Sequence, residues 1–401
     1  MDNNTKLSIP KGFKAAGIAC GIKASGNLDL ALILSETDCT AAGTFTLNRV
    51  AAAPVQWDRA LVPSSKIRGI VVNAGNANAA TGQKGLDNAT AMANLAASAT
   101  DCSTEQFLVA STGVIGRQLD MDKVEVGIRM AQERLTSEPS GFDTASQAIM
   151  TTDTHPKLAG TSIETETGET VRISGICKGA AMIGPRMATM LAFIMTDAKI
   201  PENQLQEFLS EAVDRTFNCI SVEGHASTND TVLILANGHA NEKNLHGSDL
   251  AMFKQALFDV CEKLAIMIPA DGEGATHLIT IDVTGCMNRE EARNIARAVA
   301  DSALVKTAIH GADPNWGRIV SAAGYAGVDF HESEMCLKLN GFPLYHKGAP
   351  LDFDEEVVSA NIKANRETHI ELIFYRGSSS IRFWTCDLTA EYIHLNADYT
   401  T

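Results

Sequence analysis

Apolar positions recur at the 3.6-residue spacing of amphipathic helices in several stretches of the chain. In 201–217, Leu205, Phe208, Leu209 and Val213 share one face, and Pro201 suits a first helical turn. The same spacing predicts helices over 249–268 and 288–309. In the latter, Asn288 is placed to cap the start, Glu290 and Glu291 fall where the helix dipole favours acids, and Gly311 and Pro314 mark the end. Weaker periodicity predicts helices over 86–99 and 121–135. Between them lie short β-branched or alternating runs, at 69–73, 232–236, 278–283, 335–339, 369–375 and 381–385, which read as strands. Strands and helices are interleaved throughout. No fixed-period repeat appears and no Gly/Ser- or Pro-rich linker divides the chain, although ETETGETVRISG (164–175) is loop-like at its start.

The 401 residues are 45% hydrophobic, 20% charged and 5% aromatic, with 31 glycines. That mix excludes collagen-like and wholly disordered chains, and it fits a layered protein of helices and sheets with an Ala-, Val-, Ile- and Leu-filled core. The net charge of −15, with no basic patch to reverse it, disfavours nucleic acid and anionic membrane surfaces as partners. The N-terminal MDNNTKLSIPKGFK lacks the apolar run of a signal peptide, and no stretch reaches the roughly 20 apolar residues of a bilayer span. Nine scattered cysteines form no zinc or disulfide pattern, so reduced thiols and a cytoplasmic location are expected. The ten histidines show no ligand-like pairing, and no metal is expected.

The richest segment is KGAAMIGPRMATMLAFIMTDA (178–198). Residues 187–195 are apolar except Thr189, which predicts a buried strand, and Gly184-Pro185 just before them predicts a tight turn. A single hydroxyl thus stands at the mouth of a strand. Taken alone, a core threonine bonded to backbone is the ordinary account of such a residue.

The whole string resembles the ornithine acetyltransferase family of arginine biosynthesis, also described as bifunctional glutamate N-acetyltransferase. The resemblance continues through GFKAAGIACGIK (12–23), AAGTFTLNRVAAAPV (41–55), VVNAGNANAATG (71–82), STGVIG (111–116), STNDT (227–231), DGEGAT (271–276), ADPNWGRI (312–319) and the terminal NADYTT (396–401). Ala181 and Gly184 depart from the family's usual residues, and in EGHASTND His225 and Ala226 stand where the family has Asp and Thr.

The resemblance implies a fold and a chemistry. The fold is α+β, a layered α/β sandwich whose site logic resembles that of N-terminal-nucleophile hydrolases. Autocatalytic cleavage is implied between Ala188 and Thr189, giving an alpha fragment, 1–188, and a beta fragment, 189–401, that form one intertwined unit. Thr189 would then be the nucleophile, its own α-amine supplying the base, since a free α-amino group titrates at about 7.7 to 8.0. Thr112 and Gly113 are implied as donors to the oxyanion, and Thr152, Lys178, Thr189, Glu273, Asn396 and Thr401 as substrate contacts. Lys178 would supply a cation and Glu273 an anion. On local sequence alone each has a structural account: Ser111-Thr112-Gly113 as a turn, Lys178 and Glu273 as solvated charges, Thr152 as a helix cap, and 396–401 as a frayed tail.

The implied reaction passes acetyl from N2-acetylornithine through Thr189 to L-glutamate, with no cofactor required. Acetyl-coenzyme A serves as donor in a second activity of some relatives. The implied assembly is a heterotetramer of two alpha and two beta fragments. Two other readings stay open: an N-terminal-nucleophile amidase or aminopeptidase that hands its acyl group to water, and a non-catalytic oligomeric scaffold or regulator. The loop 75–78 lacks the G-x-G-x-x-G spacing of a dinucleotide site and reads as a structural turn near the site, and Asp313 to Arg318 reads as a packed loop. Division at Thr189 also splits the charge unevenly: 17 Lys plus Arg against 18 Asp plus Glu before the cut, and 16 against 30 after it.

Overall fold

The computed structural model describes residues 8–184 and 190–398. Eight strands form the first sheet: β1 (Phe13–Ile18), β2 (Leu30–Phe45), β3 (Ser64–Asn76), β4 (Phe107–Val114), β5 (Lys157–Glu164), β6 (Thr170–Lys178), β7 (Leu191–Thr196) and β8 (Thr231–Ala236). Their order is β4-β3-β2-β8-β7-β6-β5, with β1 also on β2. The long β2 serves two neighbours on one edge, pairing Leu30 to Ser35 with β1 and Thr40 to Phe45 with β8. Pairs β3/β4 and β7/β8 are parallel and the others antiparallel. A second, six-stranded sheet comprises β9 (Leu278–Cys286), β10 (Met335–Leu339), β11 (Phe342–His346), β12 (Ala349–Pro350), β13 (Glu367–Phe374) and β14 (Ser379–Cys386), in the order β12-β11-β10-β13-β9-β14.

Both faces of the first sheet are covered, so its central strands are apolar on both sides instead of alternating. Along β7, Ala192 and Ile194 enter a core shared with the helices Glu202–Arg215 and Gly247–Ala270 and with the second sheet. Leu191, Phe193 and Met195 point the other way, into a core with Phe142 and Ile149. A third cluster packs β3 and β4 against the helices Gly82–Ala99 and Met121–Glu133 through Met92, Ala93, Val124 and Ile128. The result is the α+β layered sandwich.

The periodic helices form with their buried faces as expected, and Asn288 caps its helix by accepting from the Glu291 N–H at 2.9 Å. Pro201 is itself the N-cap residue, one position before the helix it was expected to begin. The stretch 288–309 is two helices, Arg289–Ala300 and Ala303–His310. Ser302 takes an extended conformation and its hydroxyl accepts from Val305 N–H, so a cap interrupts a run whose apolar spacing continues across it. The loop at 164–175 is a hairpin turn, Thr165 to Glu169, between β5 and β6. Of the strand expected over 187–195, the described part begins at Leu191; residues 187–189 lie outside the described residues. The tail forms a helix, Ala390–Asp398, with no buried residue. Of the stretch 313–318, read as a packed loop, Trp316 does pack, stacking on Tyr345 at 5.6 Å, but 316–318 are the first turn of a helix, Trp316–Gly324, capped by the Asn315 side chain accepting from Arg318 N–H.

The helix Ala53–Leu61 is fixed to β4 through a buried carboxyl: Asp58 Oδ1 accepts from Val109 N–H at 2.8 Å. Burial holds this carboxyl well above the usual range, against the Val109 hydrogen bond. The folded state therefore binds the proton more tightly than the unfolded chain, whose carboxyl titrates near about 3.9. Asp58 consequently detracts from stability increasingly as pH rises above that value. Asp58→Asn keeps an acceptor for Val109, so its melting temperature should gain on the wild type as pH is raised from 5 to 8. A difference that is flat across that range contradicts this account.

Candidate active site

The ends of β3, β4 and β6 and the starts of β7 and β8 meet at one end of the first sheet, and a pocket opens there. Its lining includes Thr112, Gly113, Thr152, Lys178, Glu273 and Asn396, together with Ala77, Ile115, Thr151, Ala181, Met182, Ser227, Thr228 and Asn229. Six residues singled out from the sequence are thus brought together from distant segments of the chain. The other three, Ala188, Thr189 and Thr401, lie outside the described residues. The chain resumes at Met190, whose neighbour Leu191 pairs with Lys178 on β6 and Thr231 on β8.

Thr112 and Gly113 lie at the end of β4. Thr112 is 2% exposed, and its hydroxyl oxygen accepts from Lys178 Nζ at 3.4 Å, leaving its own hydrogen free to donate. Gly113 has φ +129°, and a Cβ there would lie 2.4 Å from the Gly75 carbonyl carbon, so only glycine lets β4 run this close to β3. Asn229 ties the end of β4 to the start of β8: its side-chain amide donates to the Ser111 carbonyl at 2.8 Å and to the Ala77 carbonyl at 2.7 Å.

Lys178, the last residue of β6, is buried, which excludes the solvated-lysine account. Burial lowers its pKa, reinforced by nearby Lys157 and opposed by Asp153, Asp230 and Glu273. Glu273 is held in its turn by its N–H donating to Ala180 O at 3.0 Å, and its carboxylate accepts from the Asn396 side-chain amide at 2.7 Å. The helix Ala390–Asp398, which carries Asn396, is therefore fastened to the pocket by the same acid that lines it.

Beneath these residues sits a buried ion cluster that sequence reasoning missed. Lys157 Nζ lies 2.6 Å from both Asp153 and Asp271. Asp153 also accepts from Gly179 N–H at 2.7 Å and Thr151 N–H at 3.0 Å, and Asp271 accepts from Thr154 N–H at 3.0 Å. Burial opposes ionisation of Asp153, but the charges of Lys178 and Lys157 overcome it and hold its carboxyl well below the usual range. The TTDT and DGEG strings pointed to Thr152 and Glu273. Their aspartates were equally visible, but only the fold shows that Lys157 joins them.

The segment leading to residue 184 is also pinned. Ile183 O accepts from the N–H groups of Val222, Glu223 and Gly224, and a Cβ at Gly184 would lie 2.5 Å from Gly224. Met182 holds φ +59°, a left-handed conformation that costs a non-glycine residue about 1–3 kcal/mol. Among the described residues no group of three or more His, Cys, Asp or Glu is placed to hold a metal ion. Among the described residues the pocket lining offers the ammonium of Lys178, the carboxylate of Glu273 and several neutral hydroxyl and amide groups, a set suited to a small molecule that carries both charges.

Residues 14–401 match the ArgJ family, nearly the whole chain. The chain belongs to the ArgJ family. It is 43% identical to the arginine biosynthesis bifunctional protein ArgJ of Rhodopirellula baltica, with 100% of this chain and 98% of that protein covered. It is 46% identical to the protein of the same name from Dehalococcoides mccartyi, over 98% and 97% of the two chains. Among solved structures, the arginine biosynthesis bifunctional protein ArgJ of Bacillus halodurans aligns with a TM-score of 0.50 at 41% identity, covering 52% of this chain and 98% of its own.

Lys157 is the cation that both aspartates of the cluster share. Lys157→Met would leave two buried carboxylates without their shared cation, and unfolding in urea should show a loss of about 3–5 kcal/mol. A variant as stable as the wild type would mean that the cluster contributes nothing net.

Proposed function

We propose that this protein is a self-processed glutamate N-acetyltransferase of the ornithine acetyltransferase type. Acetyl passes from N2-acetylornithine to Thr189, ornithine leaves, and L-glutamate takes the acetyl group to become N-acetylglutamate. The observation that carries this reading is the convergence of Thr112, Gly113, Thr152, Lys178, Glu273 and Asn396 on one pocket at the strand end where the chain resumes after Thr189. Membership of a family whose relatives are named for arginine biosynthesis supports the substrate class.

A hydroxyl is a poor nucleophile at neutral pH, and cleavage between Ala188 and Thr189 creates an amine beside it to serve as base. The Thr112 hydroxyl, with its oxygen held by Lys178, and the Gly113 N–H donate to the oxyanion of the tetrahedral intermediate. Glu273 meets the ornithine ammonium and Lys178 an α-carboxylate. Thr152, Asn396 and Thr401 complete the contacts.

The products of cleavage, 1–188 and 189–401, remain one unit, because β7 and β8 from the second piece are inserted between β2 and β6 from the first. The solved relative's chain spans about half of this one, a share close to that of either product. The mature enzyme is a heterotetramer of two copies of each piece, located in the cytoplasm. The exchange needs no cofactor, and acetyl-coenzyme A is the donor in a second, glutamate-acetylating activity.

Mass spectrometry of the purified protein should show two chains parted at Ala188–Thr189. Purified Thr189→Ala should instead stay as one 42.7 kDa chain and release no ornithine. Sustained ornithine release from N2-acetylornithine should require glutamate; equal release without it would favour the amidase. Thr112→Ala should lower turnover by about 2.7–4 kcal/mol of transition-state stabilisation, the usual cost of one oxyanion donor. Unchanged turnover in that variant would remove Thr112 from the site.

A further inference from the structure

The STNDT string contains an acid to which the proposed reaction assigns no part. Asp230 immediately precedes β8 and is fully buried. Its Oδ1 accepts from the N–H of Met190 at 3.3 Å, and that nitrogen is bonded covalently to the carbonyl carbon of Thr189. The Met190 carbonyl is held in turn by the Thr231 N–H at 3.2 Å, so the residue after Thr189 is fixed on both sides by consecutive residues of one segment. The other carboxylate oxygen of Asp230, Oδ2, is buried and accepts no hydrogen bond among the described residues. A buried acceptor without a donor is costly, and such an orphan calls for a partner.

We propose that Asp230 is a positioning residue for Thr189: one carboxylate oxygen fixes the peptide that follows the nucleophile, and the other receives the α-amino group that cleavage creates and orients it as the base. The proposal rests on Thr189 being the cleaved nucleophile. An activated nucleophile commonly has this third member, a group that orients the base. In the acylation step the Thr189 oxygen bonds to the carbonyl carbon of N2-acetylornithine, and its proton passes to the α-amine. The carbon–nitrogen bond to ornithine then breaks, and the ornithine nitrogen takes that proton. Asp230 remains a carboxylate throughout, holding the amine in both its forms.

The surroundings agree with this role. Burial pushes Asp230 up to about 7, against the Met190 N–H, the nearby hydroxyls of Ser227 and Thr46 and the charge of Lys178 on β6, all of which favour the carboxylate. An ammonium beside it would favour the carboxylate further, and the carboxylate would in turn stabilise the ammonium.

Asp230→Asn keeps an acceptor for Met190 but removes the charge. It should still be cleaved and melt near the wild-type temperature, while kcat falls at least about tenfold, part of the roughly hundredfold or more that a well-placed base contributes. The acid limb of its kcat/KM profile should move at least about half a unit toward lower pH, because the amine loses its anionic neighbour. An unmoved limb with unchanged kcat would overturn the proposal, and so would a lowered kcat with an unmoved limb, which is what a purely structural role gives.

A measurement on the wild type keeps the test open should the variant not fold. Carbamylation of the Thr189 amine by cyanate, followed by mass against pH, should show the amine titrating above the range of about 7.7 to 8.0 that a free α-amino group has in water. A value at or below that range counts against Asp230. Wild-type protein that is not parted at Ala188–Thr189 instead removes the underlying reading, so the two failures are separable.

Discussion

Two carboxylates, Asp153 and Asp271, close on the buried ammonium of Lys157, and the pocket is arranged outward from that cluster. Each member is buried, so the charges must be met by protein groups: Lys157 by both aspartates, and Asp153 by Lys178 as well as Lys157. The hydrogen bonds left over from the ion pairs go to the backbone N–H groups of Gly179 and Thr151 for Asp153 and of Thr154 for Asp271, which also accepts from the Thr154 hydroxyl. Those amides belong to the loop bearing Thr152 and to the chain just beyond Lys178, while Asp271 itself begins the turn bearing Glu273. One cluster therefore sets three sides of the site, which is the kind of over-determination that a preorganised site requires.

The same cluster shapes the electrostatics above it. Lys178 has the charges of Asp153, Asp230 and Glu273 on one side of the balance and burial with Lys157 on the other, and the balance lowers its pKa. Because Asp153 and Asp271 share Lys157, and Glu273 is engaged by a neutral amide from Asn396, the acids around the pocket do different tasks. Position relative to the two lysines separates them.

Much of the architecture was legible because it depends on local physics. Periodicity located the helices at 202–215 and 247–270 to within a few residues, since an amphipathic face must be buried. It misjudged 288–309, where a Ser302 cap interrupts an otherwise continuous apolar spacing, and it left the C-terminal helix unread, because a helix that buries nothing leaves no apolar signature. The long β2 and the flanking β1 were also missed. Pairing of one strand with neighbours on two levels of the same edge is a property of the sheet and leaves no mark on the strand's own pattern.

Contiguous strings such as STGVIG, KGAAMIG and DGEGAT carry the family, the short motifs and the residue types that the chemistry needs, and each is readable without any fold. The placing of nearly all the net negative charge beyond residue 188 is equally a property of the bare chain. Folding alone brings Thr112, Thr152, Lys178, Glu273 and Asn396 to line one pocket, makes Lys157 the counter-ion of two aspartates, and sets Asp230 against the amide following Thr189. The reason is distance along the chain: Asp271 lies 114 residues from Lys157 and Glu273 lies 123 from Asn396. Burial and hydrogen-bond satisfaction act through space, so such partnerships exist only once the sheets have closed.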